Sequence, residues 1–239
     1  MTAASQPISA NRHERIDRHL RETVTDALAH DERTRDLDID VDFRGGVAHV
    51  TGAVEHQAHL DRVREFVGRF AGVLAVWDRV RVGDRAPVAL DIGCGDAKQY
   101  DENLGVDLRA ATAVDLVADL SGGIPVRDDS VDRVFAVHVL EHLVDFLPLV
   151  DDCHRVLRPG GVLHVMSPWW RFVNAVADPT HVRLLDTQTF KGICDRPGSD
   201  RRWYPRHVGC DGASVFADLT PLPDGSPPPT PEHLARFFD

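Results

Sequence analysis

The sequence lacks several features that would fix the class of the protein at once. It has four cysteines among 239 residues and no CxxC pair, so a cysteine-rich zinc site is not expected. In a reducing cytosol such isolated cysteines stay thiols. No run reaches the roughly 18 apolar residues of a membrane-spanning helix, and residues 1–10 lack the basic start and apolar core of a secretory signal. We therefore expect a cytoplasmic protein that is not transmembrane.

Basic residues are also few relative to acidic ones. Lysine and arginine total 27 against 38 aspartates and glutamates, which gives a net charge of -11 and a pI near 5.6. Such a chain is not attracted to nucleic acid or anionic membrane by bulk electrostatics, and we expect no nucleic-acid partner. Its 43% hydrophobic and 27% charged residues are typical of a soluble globular protein. The length suits one large domain, or a catalytic domain with a small one.

Hydrophobic periodicity predicts five elements in the first 83 residues. Residues 12–30 carry apolar side chains at every fourth position, which indicates a helix. Residues 37–43 alternate apolar side chains with aspartate, and Gly45-Gly46 separates this strand from a second one at 47–51. An amphipathic helix over 56–70 and a strand over 73–82 follow. The predicted order is helix, strand, strand, helix, strand.

That order resembles the BON domain over residues 12–83, as do two short motifs, Gly45-Gly46-Val47 and Val50-Thr51-Gly52-Ala53-Val54. The resemblance implies binding to phospholipid or other macromolecules, mostly in bacterial envelope proteins. Because this segment is slightly acidic and no export signal precedes it, we favour a docking module with a protein partner and keep a lipid partner as the alternative.

Residues 83–87 form a short polar joint, and a second domain is predicted over 86–239. Near-continuous apolar strands, each punctuated by glycine or polar residues, indicate a mostly parallel sheet buried on both faces. They are predicted at 88–92, 104–107, 114–118, 131–139 and 161–166, with a helix over 145–157. Residues 202–208 and 213–219 suit a terminal antiparallel pair. A proline-rich tail over 227–231 precedes a last short helix.

Polar residues at the ends of three successive strands carry the candidate chemistry. Asp91-Ile92-Gly93-Cys94-Gly95 follows the first strand, where glycine lets a backbone approach a ligand closely. A dinucleotide site would need a third glycine at position 98, which is Lys98. Asp107, after the second strand, suits a ribose, and Asp119, after the third, suits an adenine amino group. Each aspartate singly is as well explained by a turn.

With these residues the chain resembles the class I methyltransferases that use S-adenosylmethionine (SAM), over residues 86–220. Five motifs occur in the family's order: the glycine-rich loop at 91–95, Gly105-Val106-Asp107, the segment from Asp119 through 124–132, residues 137–143, and residues 155–161. The resemblance implies an α/β, Rossmann-like, mostly parallel sheet, preceded here by the small α+β domain. It implies a SAM site at Asp91, Gly93, Cys94, Gly95, Asp107, Leu108, Asp119, Leu120 and His138.

The chain departs from that family between the first three strands. The connections after Gly95 and after Asp107 are too short for the family's full helices, so the early helices are trimmed. A bare apolar sheet face would be strongly destabilising at about 25 cal/mol per Å². We therefore expect either the N-terminal domain or the C-terminal tail to cover it.

Histidines follow the fourth and fifth strands, where the acceptor is expected. His138 is predicted near the transferred methyl group as a proton acceptor; Glu141 and His142 either contact the acceptor or brace the turn. Asp178-Pro179-Thr180-His181 resembles a segment of a bacterial methyltransferase subgroup. It implies that this segment lines the acceptor pocket, where His181 suits a general base and Arg183 an anion clamp. The alternative is an Asx-Pro turn that starts a helix through 187–190. Trp169 either walls a planar acceptor or belongs to the core. The substrate-binding candidates are therefore His142, Trp169, Asp178 and Arg183.

No metal site is predicted. We expect methyl transfer from SAM to an oxygen or nitrogen of a small-molecule acceptor, with two alternatives: a SAM-binding regulatory or scaffold protein without turnover, or an enzyme acting on an envelope lipid or polysaccharide. Because one fold serves many chemistries, the motifs do not name the acceptor.

Overall fold

A computed structural model describes residues 10–238. These residues form two compact units, one containing residues up to Pro87 and the other containing Val88–Cys210 and the chain from Ser214 onward. Each unit has its own core. No helix among the described residues is both long and apolar enough to cross a bilayer. No disulfide joins the four cysteines.

The first unit packs two helices and a small sheet. Its elements are α1 (Ala10–His30), β1 (Asp38–Arg44), β2 (Val47–Val54), α2 (Gln57–Gly68), β3 (Ala75–Asp78) and β4 (Arg81–Val82). β1 is antiparallel to β2, whereas β3 and β4 both run parallel to β2. The predicted order of elements is confirmed, but the single strand predicted over 73–82 is divided at Arg79 and Val80, which belong to neither strand although the N–H of Arg79 still donates to the carbonyl of Val50 at 2.8 Å.

The turn between β1 and β2 is held from α1. Gly45 and Gly46 have φ of +58° and +79°, a left-handed region that glycine adopts without steric cost. Their N–H groups donate to Oδ2 and Oδ1 of Asp17, at 2.7 and 2.8 Å. The core beneath consists of aliphatic residues that the predicted periodicities bring inward, including Leu20, Val24, Leu28, Val41, Phe43, Val50, Leu60, Val63 and Val67.

The second unit contains a seven-stranded sheet. Its strands are β5 (Ala89–Ile92), β6 (Leu104–Asp107), β7 (Leu116–Val117), β8 (Val131–Val137), β9 (Leu157–Pro168), β10 (Trp203–Cys210) and β11 (Ser214–Pro221). Its α-helices are α3 (Leu147–Val156), α4 (Val173–Ala177), α5 (Thr187–Cys194) and α6 (Pro231–Phe238), with 3₁₀ turns at Leu120–Gly122 and Leu140–His142.

The strand order is β10-β11-β9-β8-β5-β6-β7. The pairs from β9 to β7 are parallel, and β11 is antiparallel to both β9 and β10. This confirms the predicted α/β sheet, mostly parallel with a terminal antiparallel pair. No helix occurs between β5 and β6 or between β6 and β7, so the predicted trimming is confirmed as well.

The two faces of this sheet differ in chemistry. Leu90 and Ile92 of β5 point into an aliphatic core that α3, α5 and α6 complete, with Leu234 and Phe238 from the C-terminal helix. The opposite face of the sheet includes buried polar groups. There, His164 Nδ1 lies 2.8 Å from Asp218 Oδ1, and the ring of Phe135 stacks on that of His164. The C-terminal helix therefore packs on the first face, and the tail alternative for covering the second face is wrong.

Candidate active site

The glycine-rich loop leaves β5 in a conformation that requires glycine. Gly93 has φ of +65°, and a Cβ there would lie 2.7 Å from Cγ2 of Val139. Its N–H donates to the carbonyl of Val106 at 2.7 Å. Gly95 also has positive φ, +53°, but a Cβ there would meet no atom within 4 Å. The loop therefore contacts both neighbouring strand ends at Gly93 and lies open at Gly95.

Asp91 holds the short connection that replaces the missing helix. Its buried carboxylate accepts hydrogen bonds from the backbone N–H of Gln99 at 2.5 Å and from Nδ2 of Asn103 at 3.3 Å. Burial raises the pKa of Asp91 to about 6, against the opposing effect of these hydrogen bonds. The sequence reasoning missed Gln99 and Asn103, whose only signal is their position in a connection too short for a helix.

Asp107 joins the end of β6 to the glycine loop. Its Oδ2 accepts from the N–H of Gly95 and its Oδ1 from the N–H of Arg109, both at 3.0 Å. A carboxylate has about four lone-pair positions, so each oxygen retains capacity for a ligand hydroxyl. Leu108, beside it, is 62% exposed. An exposed apolar side chain next to a hydrogen-bonding carboxylate suits a ligand that has both a sugar and a ring.

The two shortened connections meet over Gly105. A Cβ at this position would lie 2.2 Å from the carbonyl oxygen of Ala113 and 2.8 Å from Sγ of Cys94. Asp115 accepts from the N–H of Gly105 at 2.8 Å and from Nζ of Lys98 at 3.0 Å. Burial, with the nearby carboxylate charges, raises the pKa of the Cys94 thiol. Cys94 is therefore a packing residue of the loop in its thiol form.

Asp119 caps the 3₁₀ turn that follows β7. Its Oδ1 accepts from the backbone N–H of Ser121 at 2.9 Å, and the hydrogen bonds from Ser121 lower the pKa of Asp119. Leu120 is half-buried against the core. Capping thus accounts for Asp119, and the adenine role of Asp119 and Leu120 stays a prediction.

His138 lies at the end of β8 in a left-handed conformation. Its φ is +57°, which is uncommon for a residue with a side chain and is concentrated at functional sites. Nδ1 of the half-exposed ring is 3.1 Å from Oε1 of Glu141. The other oxygen of Glu141 accepts from the hydroxyl of Ser167 at 2.8 Å. A buried carboxylate thus fixes the orientation of an accessible imidazole.

Glu141 is more than a brace of its turn. Its side chain is 1% exposed, and burial opposes its ionisation, but the hydrogen bonds from His138 and Ser167 outweigh burial and lower its pKa. Its carbonyl oxygen accepts from the N–H groups of Val182 and Arg183 at 2.8 and 3.1 Å. Glu141 therefore connects the end of β8 to the segment that carries His181. From sequence, Glu141 was open between a contact with the acceptor and a brace of the turn; the i, i+3 spacing is the signal for its bond to His138.

An open cavity of about 440 Å³ lies beside His138. Its walls are formed by His138, His142, Pro168, Asn174, Ala177, Asp178 and His181. The structure thus brings together four predicted residues: His138, His142, Asp178 and His181. Glu141, His142 and His181 also offer ligand atoms within 4.8 Å of one another, so this wall has donors suited to a metal ion, although no metal site was predicted.

Asp178 forms the Asx turn that the sequence allowed. Its Oδ1 accepts from the backbone N–H and the hydroxyl of Thr180, at 2.8 and 2.6 Å, and these bonds lower the pKa of Asp178. The following helix, α5, begins later, with Asp186 as its cap. The turn and the cavity wall are therefore both present, and the two interpretations of this segment are compatible.

Two predicted substrate residues do not line the cavity. Nε1 of Trp169 and of Trp170 both donate to Oδ2 of Asp186, at 2.8 and 3.0 Å, so the indoles support the cap of α5. Nε of Arg183 donates to the carbonyl of Val144 at 2.7 Å. The proposed acceptor contacts of Trp169 and Arg183 stay predictions.

Comparison with known proteins agrees with both resemblances. Residues 90–165 match the family described as "Methyltransferase domain", and residues 16–84 match the BON domain. A "Probable S-adenosylmethionine-dependent methyltransferase" of Mycolicibacterium smegmatis is 37% identical over 95 residues, covering 33% of this chain and 37% of that protein. A protein of Mycobacterium tuberculosis with the same description is 31% identical over 109 residues, covering 39% and 40%.

Solved structures are similar at lower identity. Phosphoethanolamine N-methyltransferase 1 of Haemonchus contortus is 14% identical, with a TM-score of 0.46, over 64% of this chain and 43% of that one. A SAM-dependent methyltransferase of Mesorhizobium loti is 17% identical, with a TM-score of 0.41, over 56% and 90%. The chain spans less than half the length of the curated relatives it matches. The chain is thus similar to the BON domain over residues 16–84 and to the methyltransferase domain over residues 90–165.

Proposed function

We propose that the second unit binds SAM at the ends of β5 and β6 and transfers its methyl group to an oxygen or nitrogen of a small-molecule acceptor in the cavity beside His138. The observation that carries this proposal is the pair of His138 and Glu141 at the same sheet edge as the glycine-rich loop. Ile92 of β5 pairs with Ala136 of β8, so the two strands end side by side. Val139 lies so close to Gly93 that a Cβ on residue 93 would not fit.

The residues at the loop fit SAM in three respects. Positive φ at Gly93 and Gly95 exposes backbone to a ligand at the carboxyl edge of the sheet. Asp107 retains lone pairs for ribose hydroxyls, and exposed Leu108 suits the adenine ring. When bound, SAM supplies an electrophilic methyl group, whose bond to sulfur breaks, leaving its electron pair on sulfur, as the acceptor lone pair bonds to carbon.

The protein's own contribution is positioning and proton removal. Because Glu141 is an acceptor only, it fixes the proton of His138 on Nδ1 and leaves the lone pair of Nε2 for the acceptor's proton. The acceptor proton then moves to Nε2, and buried Glu141 stabilises the resulting imidazolium. His181, on the opposite segment of the wall, is the second candidate base.

Exposed apolar residues beside the cavity favour one alternative, an acceptor with an apolar part such as an envelope lipid. The segments that line the cavity also carry Val144, Trp170, Val173, Val176, Val182 and Leu184, each more than 40% exposed. Contiguous exposed apolar surface commonly marks a binding site. Co-sedimentation with anionic and with neutral vesicles separates a lipid acceptor from a small-molecule acceptor. Vesicle binding supports the lipid acceptor if Val173→Ser and Val176→Ser abolish it. A scaffold protein that binds SAM without turnover is the remaining alternative.

The test of the proposal is calorimetric titration with SAM of the full chain, the Asp107→Asn and Asp107→Ala variants, and Asp101→Ala as an exposed control. We expect micromolar binding that weakens tenfold or more in Asp107→Ala, about 1.4 kcal/mol, with Asp101→Ala unchanged. Absence of binding by the unaltered chain would overturn the proposal. Binding without turnover in a broad acceptor screen would favour the scaffold alternative.

A further inference from the structure

Three side chains from two separate segments place metal-binding atoms at the wall of the cavity. Glu141 and His142 come from the 3₁₀ turn after β8, and His181 comes from the segment after α4. One ligand atom of each lies within 4.8 Å of the others. We propose that Glu141, His142 and His181 bind a divalent transition-metal ion, with Zn²⁺ as the best match. Two imidazoles, one carboxylate and an open fourth position are a ligand set of catalytic zinc sites.

The hydrogen bonds of both histidines set the tautomer that metal binding needs. Nδ1 of His142 lies 3.2 Å from the carbonyl oxygen of Thr180, and Nδ1 of His181 lies 3.3 Å from that of Ala175. Carbonyl oxygens only accept, so each Nδ1 carries the proton and each Nε2 keeps a lone pair. Metal-bound histidines characteristically donate their other N–H to a carbonyl or carboxylate in this way.

The hydroxyl of Thr180 strengthens this arrangement. It donates to Oδ1 of Asp178 at 2.6 Å, so it offers only lone pairs to Nδ1 of His142, 3.1 Å away. The other oxygen of Asp178 lies 3.8 Å from Nε2 of His181. Asp178 thus supports His142 through Thr180 and places a second carboxylate group beside His181.

Glu141 is oriented as ligating carboxylates are. Its two oxygens accept hydrogen bonds from His138 and Ser167, and carboxylates retain further lone pairs. Ligands at about 2.0–2.2 Å from zinc lie roughly 3.3 Å apart in a tetrahedral site. Donors that lie within 4.8 Å of one another therefore need to close by up to about 1.5 Å, and exposed His142 contributes to this by rotation of its side chain. Imidazole donors favour zinc over magnesium, which prefers oxygen ligands.

The position of the ion deepens the proposed function and, in that part, rests on it. A cation at this wall lies in the acceptor cavity beside His138, where it would lower the pKa of an acceptor hydroxyl and hold its oxygen. His181 would then be a metal ligand, and His138 alone would remain as the candidate base. Metal binding itself does not depend on SAM or on the acceptor, so it is tested separately from methyl transfer.

The test is calorimetric titration of chelator-treated full-length protein with ZnCl₂ alone and with MgCl₂ alone. We expect one equivalent of Zn²⁺ to bind and Mg²⁺ to bind at least tenfold more weakly. His142→Gln and His181→Gln should each weaken Zn²⁺ binding by tenfold or more. His30→Gln, an exposed histidine of α1, and Cys210→Ser, an exposed thiol, should not.

Absence of Zn²⁺ binding would overturn the proposal, as would binding unaffected by either histidine variant or abolished by Cys210→Ser. The histidine variants could lose Zn²⁺ binding through a folding defect, so Asp178→Asn is a second test. This exposed substitution is expected to weaken Zn²⁺ binding several-fold without altering the fold. SAM titration of the same metal-free sample separates the two proposals. SAM binding without Zn²⁺ binding contradicts only the metal site. Zn²⁺ binding without SAM binding contradicts only the SAM site.

Discussion

Nδ1 of His138 lies 3.1 Å from Oε1 of Glu141, so a buried carboxylate orients a half-exposed imidazole at the wall of the cavity. Glu141→Gln keeps the shape of the side chain but removes its charge. We expect kcat to fall on the order of 10²-fold, the usual contribution of a positioned base, with KM within a few-fold. Steady-state kinetics with an acceptor found by screening measure this split. Glu32→Gln is the control, and an unchanged kcat would mean that another group removes the proton.

The two loop glycines are expected to respond differently to the same substitution. Gly95→Ala places a side chain at positive φ in open space, which should cost about 1–2 kcal/mol. Gly93→Ala adds a clash with Val139, and overpacking should raise the cost by about a further 1–3 kcal/mol. Scanning calorimetry of the two variants measures the difference. Equal losses would mean that the loop relaxes freely around Val139.

Asp91 is expected to make the second unit less stable as pH rises. Burial raises its pKa from 3.8 to about 6, so between these values the folded state holds a proton that the unfolded state has lost. Stability from this group is complete below about pH 4 and is lost as pH rises through 6, a change of roughly 3 kcal/mol.

The matched variant for this prediction is Asp91→Asn, because an amide oxygen also accepts the bonds from Gln99 and Asn103. Urea unfolding at pH 4 to 8 should give a flatter pH dependence for the variant than for the parent chain. Parallel curves for the two proteins would contradict the assigned pKa.

The first unit has a buried ion pair that can be broken selectively. Nε of Arg64 donates to Oδ2 of Asp78 at 2.8 Å, and both side chains are at most 4% exposed. Asp78→Ala leaves the guanidinium without this partner, and we expect a loss of about 3–5 kcal/mol. Asp36→Ala removes an exposed partner of Arg35 and should cost less than about 1 kcal/mol. Native-state amide hydrogen exchange of the first unit measures both losses. A small loss at Asp78 would mean that Asp61 alone compensates the charge.

Local sequence patterns predicted most helices and strands, but not the break within one strand or the shortest helix. Alternation and helical periodicity were sufficient for the hairpin of the first unit and for the parallel strands, because each pattern reflects one buried face. The break between β3 and β4 was not predictable, since Val80 is as buried as its strand neighbours. The short helix α4 was also missed, as five residues carry too little periodicity.

Individual contacts within the site were predictable only where the two residues are close in sequence. His138 and Glu141 are three residues apart, but the Ser167 hydroxyl that orients Glu141 comes from another strand. The shared Asp186 that engages both Trp169 and Trp170 also lies far along the chain. The metal donors were missed for the same reason, since contacts between segments about 40 residues apart, such as the backbone bonds of Val182 and Arg183 to Glu141, bring His181 beside Glu141.

The two shortened connections leave no room for a side chain at Gly105. The carbonyl of Ala113 and the thiol of Cys94 occupy the space that any side chain at this position would need. Two loops from different parts of the chain thus depend on one missing methyl group. During divergence, a side chain at residue 105 would require both loops to move, so relatives that share the short connections should keep glycine there.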